Sequence, residues 1–332
     1  MNLNPSLSTP VEVPKLNPAI HLDDEIMLLG SCFSQNIGLK MLENKLNIQL
    51  NPYGIQYNPV SILSGLQEMM KGNIYESSDL VYHNGRYHSM MHHGDFSDKD
   101  EETVLEKINV QLLEAHRRMV NMNWLIMTWG TSWVYEIKEN HHIVSNCHKI
   151  PNSLFLRRKL SVSEIVDGYI AFFDKLFSIN SRVNILFTVS PIRHLRDNVH
   201  DNQISKSILL IAQEKLKEQY PDRISYFPAY EILLDELRDY RFYDMDMTHP
   251  STLAQQIIWN RFVQSCLDKK IHDFLAIWAP IIKQLAHRPQ DAQSVSYQHF
   301  LSQLLLKVNT ISEKFPSLNF SNEIQKIKCY IQ

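Results

Sequence analysis

Two short segments, far apart in the chain, carry the residue types that acyl chemistry needs. Gly30-Ser31-Cys32-Phe33 closes the apolar run Ile26-Met27-Leu28-Leu29, and Asp246-Met247-Thr248-His249-Pro250 lies far downstream. A serine hydroxyl is a poor nucleophile until a base takes its proton, and an imidazole base works well only when a carboxylate fixes its tautomer. Ser31 as nucleophile, His249 as base and Asp246 as its brace supply the three types. Cys32 is a rival nucleophile, since thiolates attack acyl groups readily. The neighbour of an outward-facing serine on a strand-turn-helix points into packing, however, which assigns Cys32 to the core. Ser31 also reads as an ordinary helix cap, a common use of serine ahead of an apolar-periodic run.

These segments need elements to bring them together. Ile26 to Leu29 are strand-like, Gly30 permits a sharp turn, and Phe33, Ile37, Met41 and Leu42 follow at helical spacing, so residue 31 stands where a strand hands over to a helix. The first N–H groups of a helix have no intrahelical acceptor and can serve an oxyanion. A second strand is expected at Asn47 to Leu50, a turn at Asn51-Pro52-Tyr53-Gly54, and a helix from Asn58-Pro59. Buried strands are expected at Leu125 to Thr128, Asn184 to Val189 and Ile224 to Phe227. Helices between them are read from Val104 to Leu113, from the capping box Ser161 and Glu164, and from Ser205 to Gln219. Strands alternating with helices predict a parallel sheet covered on both faces, with ligands at the carboxyl ends of the strands. Ser31, Gly130 and Ser190 all fall just past such ends. His249-Pro250-Ser251 opens a further helix, and beyond residue 270 apolar positions from Phe274 to Val308 predict a helical tail.

The 332 residues are 44% hydrophobic, enough for one large core, and a formal charge of -3 gives no electrostatic reason to expect nucleic acid or an anionic membrane as partner. Arg157-Arg158-Lys159 is too short a basic run to change that and reads as solvated surface. The four cysteines show no C-x-x-C spacing, so reduced thiols are expected rather than a zinc ribbon or a disulfide scaffold. Residues 1 to 24 read as an extended arm without a basic segment leading into an apolar core, and no apolar run approaches the roughly 20 residues that span a bilayer. A cytoplasmic protein follows as the expectation.

The stretch from Ser77 to Asp98 is loop-like and dense in histidine. His83, His88, His92 and His93 with Asp95 invite a metal reading, but helical His-x-x-x-His spacing occurs only as His88 with His92, where helical period is poor. A polar wall or surface loop is expected there, with no metal. With nine glycines and no G-x-G-x-x-G, nucleotide binding is unsupported, and no cofactor is expected.

Gly30-Ser31-Cys32-Phe33 and Asp246-x-x-His249, together with Thr128-Trp129-Gly130-Thr131, Asn146-Cys147-His148-Lys149 and Thr188 to His194, resemble the GSCFA family within the SGNH/GDSL hydrolase superfamily. The resemblance covers roughly residues 10 to 265 and leaves the tail outside. It implies a three-layer α/β/α fold with a five-stranded parallel sheet, which sets the main domain at residues 1–268 with its arm, and the apolar period of the tail adds a helical extension over 269–332. It also implies esterase or related acyl-transfer chemistry, with Ser31 on the nucleophile and Asp246 and His249 on the D-x-x-H pair. Gly54 matches the second-block glycine that lends an N–H to the oxyanion hole. The third block departs from G-x-N-D: Gly130-Thr131-Ser132-Trp133 offers Thr131, Ser132 or their N–H groups, and Asn146 is a replacement from elsewhere. His148 and His194 are further substrate-binding candidates. By analogy the expected substrate is a carbohydrate or small-molecule ester, with acetyl among the acyl groups it could carry. An acyltransferase on the same site and an inactive scaffold using the tail are the alternatives, and the tail is also a candidate surface for homo-oligomerisation.

Overall fold

The structure, a computed structural model, describes residues 9–287, 289, 291 and 293–330. The first eight residues of the expected arm lie outside the described residues. In chain order the elements begin β1 (Ile26–Gly30), α1 (Cys32–Glu43), β2 (Ile48–Leu50), α2 (Pro59–Lys71), β3 (Val81–His83), β4 (Arg86–His88) and α3 (Glu101–Asn121). There follow β5 (Trp124–Trp129), β6 (Trp133–Ile137), β7 (Ile143–Val144), β8 (Phe155–Lys159), α4 (Val162–Ile179), β9 (Asn184–Val189), α5 (Asn198–Gln219) and β10 (Ile224–Tyr226). The chain closes with the short α6 (Ala229–Glu231), then α7 (Thr252–Cys266), α8 (Lys269–Leu285), α9 (Val295–Lys314) and α10 (Ser321–Lys328).

The expected five-stranded parallel sheet is present, in the order β10-β9-β5-β1-β2. Its strands are buried on both faces, and side chains alternate between two cores as strand geometry requires. Ile26, Leu28, Trp124, Ile126 and Leu186 join α1, α7 and the C-terminal helices on one face. Met27, Leu29, Met127, Trp129 and Phe187 join α2, α3, α4 and α5 on the other. The layers are therefore α/β/α. Each large apolar side chain fully removed from water contributes about 1.5–3 kcal/mol, so the two faces together lock the sheet in place.

Local signals start the helices where the sequence places them. Asn58 accepts from Ser61 N at 2.8 Å ahead of Pro59, and Ser161 and Glu164 form the reciprocal capping box of α4. The arm of residues 9–19 carries no regular element; Leu16 and Ile20 tie it to the end of α7 through Ser265 O and Cys266 O, each at 2.8 Å. The C-terminal helices share the α1/α7 core: Trp278 donates to Glu43 O at 3.0 Å, Lys45 pairs with Glu323 at 2.6 Å, and Phe274, Trp278 and Phe320 are buried together.

Two small sheets lie outside the sequence reading. β3 and β4 form a hairpin over the Asn84-Gly85 tip, where both residues take positive φ (51° and 75°), as a tight two-residue turn demands. β7-β6-β8 is an antiparallel sheet that follows directly on β5. Helix α5 also begins at Asn198, earlier than the expected Ser205. No helix among the described residues is long and apolar enough to cross a membrane.

Candidate active site

Counting the large-sheet strands alone in chain order, the arrangement is 2-1-3-4-5, and the direction of winding reverses between β1 and β5. Ligands of such sheets gather at the carboxyl ends flanking that reversal. Gly30 ends β1 there with φ +141°, and a Cβ on it would lie 2.3 Å from Thr128 O on β5 and 2.8 Å from Ser34 Oγ. Only glycine lets the two strands stay paired through Gly30 and Thr128 while the chain turns into α1.

Ser31 caps α1: its Oγ accepts from Phe33 N at 3.3 Å, and the residue is 1% exposed. A capping hydroxyl has to bend back over the helix end to reach that N–H. It cannot then face outward, and no hydrogen bond joins Ser31 to His249 among the described residues. The residue facing the imidazole is Cys32, the first of the helix, with Sγ 3.7 Å from His249 Nε2. Of the two residues, Ser31, expected to face outward, is the buried one, and Cys32, expected in the core, lies against the imidazole.

The downstream segment forms a turn whose polar groups converge on Asp246. Oδ1 accepts from the N–H of Thr248 and of His249, each at 2.9 Å, and Oδ2 lies 2.5 Å from His249 Nδ1. Those backbone donors first, and the imidazole after them, hold the Asp246 carboxyl well below the usual carboxylate range. Asp244 N bonds to His249 O at 2.8 Å, and a bridge between Tyr243 and Pro250 closes the base of the turn. With Nδ1–H donated to the carboxylate, as the hydrogen-bond network assigns it, the Nε2 lone pair faces the thiol. Burial pushes the Cys32 thiol above its ordinary value, although the N–H groups of Cys32 and Phe33 and the charge of Lys206 pull the other way. The sulfur is a protonated thiol at neutral pH and needs the imidazole to become a nucleophile.

Lys206, 1% exposed on α5, lies beneath the ends of the central strands. Its Nζ donates to Gly130 O at 2.6 Å and Ser190 O at 2.7 Å, clamping the ends of β5 and β9. Burial lowers its pKa to about 7, with Cys32 raising it and Arg193 lowering it further. His194 lines the cleft; burial first, then Lys206, His249 and Arg157, push its imidazole down to about 4, so it is neutral at pH 7. A Cβ on Gly130 would come within 3.0 Å of Tyr57 O, 3.4 Å of His194 Nε2 and 3.6 Å of Ser31 Cβ, so glycine keeps this corner open.

The other expected donors are committed elsewhere. Gly54 N donates to Asn51 O at 2.7 Å and its Cα faces His93, away from the cleft, because the turn of residues 51–54 closes on itself. Gly130 N and Thr131 N both donate to Tyr57 O, at 2.7 and 3.0 Å. Thr131 lines the cleft, but its hydroxyl, like Ser132 N and Oγ, meets Ser205 Oγ. Asn146 caps its own loop by accepting from His148 N at 3.0 Å, and His148 donates from Nε2 to Ser89 O, 2.8 Å away; neither lines the cleft. What these positions lack is a free N–H, since loop closure has used each one. His88 and His92 are likewise buried, bonded to Ser97 and Ser89, and among the described residues no three of His, Cys, Asp or Glu group as a metal ion requires.

The cleft holds about 320 Å³, and much of its wall comes from the small sheet: Trp133 and Tyr135 of β6, Val144 of β7 and Arg157 of β8. Arg193 and Arg196, from the loop after β9, complete it. The basic run read as solvated surface is therefore structural: Arg157 pairs with Asp197 and lies 4.2 Å from the centre of the Trp133 ring, Arg158 pairs with Glu136 at 2.8 Å, and Lys159 with Asp201 at 2.9 Å. The signal that could have found this wall is the alternation in Trp133-Val134-Tyr135-Glu136-Ile137, where Val134 and Glu136 are buried and the others half-buried.

A doubly wound α/β protein with a thiol, an imidazole and a carboxylate aligned at its switch point is the class that fold and site define. Residues 25–262 match the model of the GSCFA family, and the chain belongs to that family. Residues 278–332 match the GSCFA domain protein, C-terminal domain, so the family's likeness extends into the tail that the sequence reading left outside. No curated protein matches the chain.

Proposed function

We propose that this protein is a cysteine-dependent acyl-transfer enzyme, acting as a hydrolase on a carbohydrate or small-molecule ester. The observation that carries the reading is the line from Cys32 Sγ through His249 Nε2 and Nδ1 to Asp246 Oδ2, with steps of 3.7 and 2.5 Å. The resemblance to the SGNH/GDSL superfamily supports the same reaction class with a different nucleophile from the one it implied.

In the first half-reaction Cys32 Sγ attacks the ester carbonyl carbon as its proton passes to His249 Nε2. The N–H of Cys32, first in α1 and without an intrahelical acceptor, faces the oxyanion together with the positive end of the helix. The tetrahedral adduct collapses, the C–O bond breaks, and the imidazolium returns its proton to the leaving alcohol. A thioester on Cys32 remains. Water then attacks it with His249 as base, releasing a carboxylic acid and restoring the thiol. An acceptor hydroxyl in place of water makes the same constellation an acyltransferase. Asp246 holds the Nδ1–H tautomer and stabilises the imidazolium in both halves.

The test is hydrolysis of short-chain aryl esters and acetylated sugars by wild type, Cys32→Ala and Ser31→Ala, with the acyl-enzyme trapped and mapped by mass spectrometry. Cys32→Ala is expected to lower kcat by about 10³-fold or more. Ser31→Ala keeps turnover, and the trapped acyl group maps to Cys32. An acyl group on Ser31, or full activity without Cys32, overturns the assignment. No turnover and no adduct on any substrate favours a binding module that kept the fold.

A further inference from the structure

The cleft beside Cys32 carries more positive charge than acyl transfer itself requires. Three guanidinium groups, Arg157, Arg193 and Arg196, line it against a single carboxylate, Asp197, which Arg157 already pairs with. Arg193 and Arg196 make no ion pair among the described residues; Arg196 instead lies 5.4 Å from the centre of the Tyr135 ring, which holds it over the wall. Guanidinium nitrogens can only donate, so the group they would meet in the cleft is an acceptor rich in oxygen, and arginines without a carboxylate partner select one that bears charge.

From this geometry we infer that the substrate carries an oxyanion, a carboxylate or a phosphate, bound by Arg193 and Arg196 beside the Arg157–Asp197 pair. The aromatic faces of Trp133, Tyr135 and Tyr57 pack the rest of the molecule and orient its carbonyl toward Cys32. Placing this group on an ester rests on the acyl-transfer reading; the anion site itself does not.

Two experiments separate the two claims. In the first, hydrolysis of 4-nitrophenyl hemisuccinate is compared with 4-nitrophenyl butanoate, and 4-acetoxybenzoate and 4-acetoxyphenyl phosphate with methyl 4-acetoxybenzoate, for wild type, Arg193→Gln and Arg196→Gln. Wild type is expected to favour at least one anionic ester by about tenfold or more in kcat/KM, and each substitution to remove about tenfold of that preference. Which arm shows it tells carboxylate from phosphate and acyl side from alcohol side. In the second, phenyl phosphate, benzoate and benzyl alcohol are titrated calorimetrically into the full-length protein, with no turnover involved. Saturable binding of an anion that weakens about tenfold in either arginine variant and falls with added salt supports the site even if no ester is cleaved. Equal binding of benzyl alcohol and both anions, or anion binding untouched by both substitutions, overturns it.

Discussion

The two arms of the candidate triad are built in opposite ways. Cys32 is set by a buried strand-turn-helix in which Gly30, Ser31 and Ser34 are almost wholly removed from solvent and the backbone is fixed by pairing with β5. Asp246 and His249 sit on an open turn with about half of each side chain exposed (51% and 46%), held by bonds within the turn itself. One arm takes its geometry from the core, the other from local hydrogen bonds. A change in the first arm should therefore cost stability, and activity with it where the backbone beneath Cys32 moves, whereas a change in the second should alter activity alone.

The largest effect expected is on the exposed arm: His249→Ala lowers kcat by about 10³-fold with an unchanged urea midpoint, because no core contact is lost. A fall in stability comparable to that of a core mutant would erase the contrast. Gly30→Ala sharpens it from the other side. Its Cβ meets Thr128 O at 2.3 Å and φ is +141°, so a loss of about 3 kcal/mol or more in denaturant unfolding should accompany the loss of activity. Asp246→Asn keeps a hydrogen bond but loses the charge and the tautomer preference; a half-exposed carboxylate contributes less than a buried one, and a drop of about 10–100-fold in kcat with intact folding is expected from steady-state kinetics. Ser31→Ala removes a cap, costing about 1 kcal/mol of stability and little turnover.

The pH response of the buried Lys206 is a smaller effect. Folding lowers the Lys206 pKa from 10.5 to about 7. Between those values the unfolded chain binds the proton and the folded protein does not, so stability rises with pH across that window and is flat below it. Denaturant titrations of wild type and Lys206→Met from pH 6 to 10 should show this slope in wild type only, together with a constant loss in the variant from the orphaned carbonyls of Gly130 and Ser190.

A second contrast explains how much of the site could be read in advance. The densest cluster of chemistry-bearing residues, His83 to Asp95, folds into a stacked and hydrogen-bonded block: His92 lies 4.1 Å from the Tyr53 ring and bonds to Ser89, and burial pushes it down to about 3. The cleft instead draws single residues from many elements. The large sheet was legible because apolar runs of β-branched and aliphatic residues bounded by glycine and caps leave few alternatives. The antiparallel β6-β7-β8 sheet was not, since Trp133 to Ile137 is half polar and its pairing with Phe155 to Lys159 crosses a loop with no local signal. Hence Arg157, Trp133 and Tyr135 were missed, and the N–H groups of Gly54 and Thr131 were credited with a role that loop closure denies them.

The sequence by itself determined the α/β alternation, the strand ends at residues 30, 129 and 189, and the pairing of an aspartate with a histidine three residues on, because strand burial, helix caps and tight turns are decided within a few residues. Only the tertiary structure decided which of two adjacent residues meets that histidine. Capping turns Ser31 inward by a local rule, but that the imidazole arrives on the side of Cys32 depends on how α7 packs against α1 on their shared face of the sheet, a distance no sequence spacing encodes.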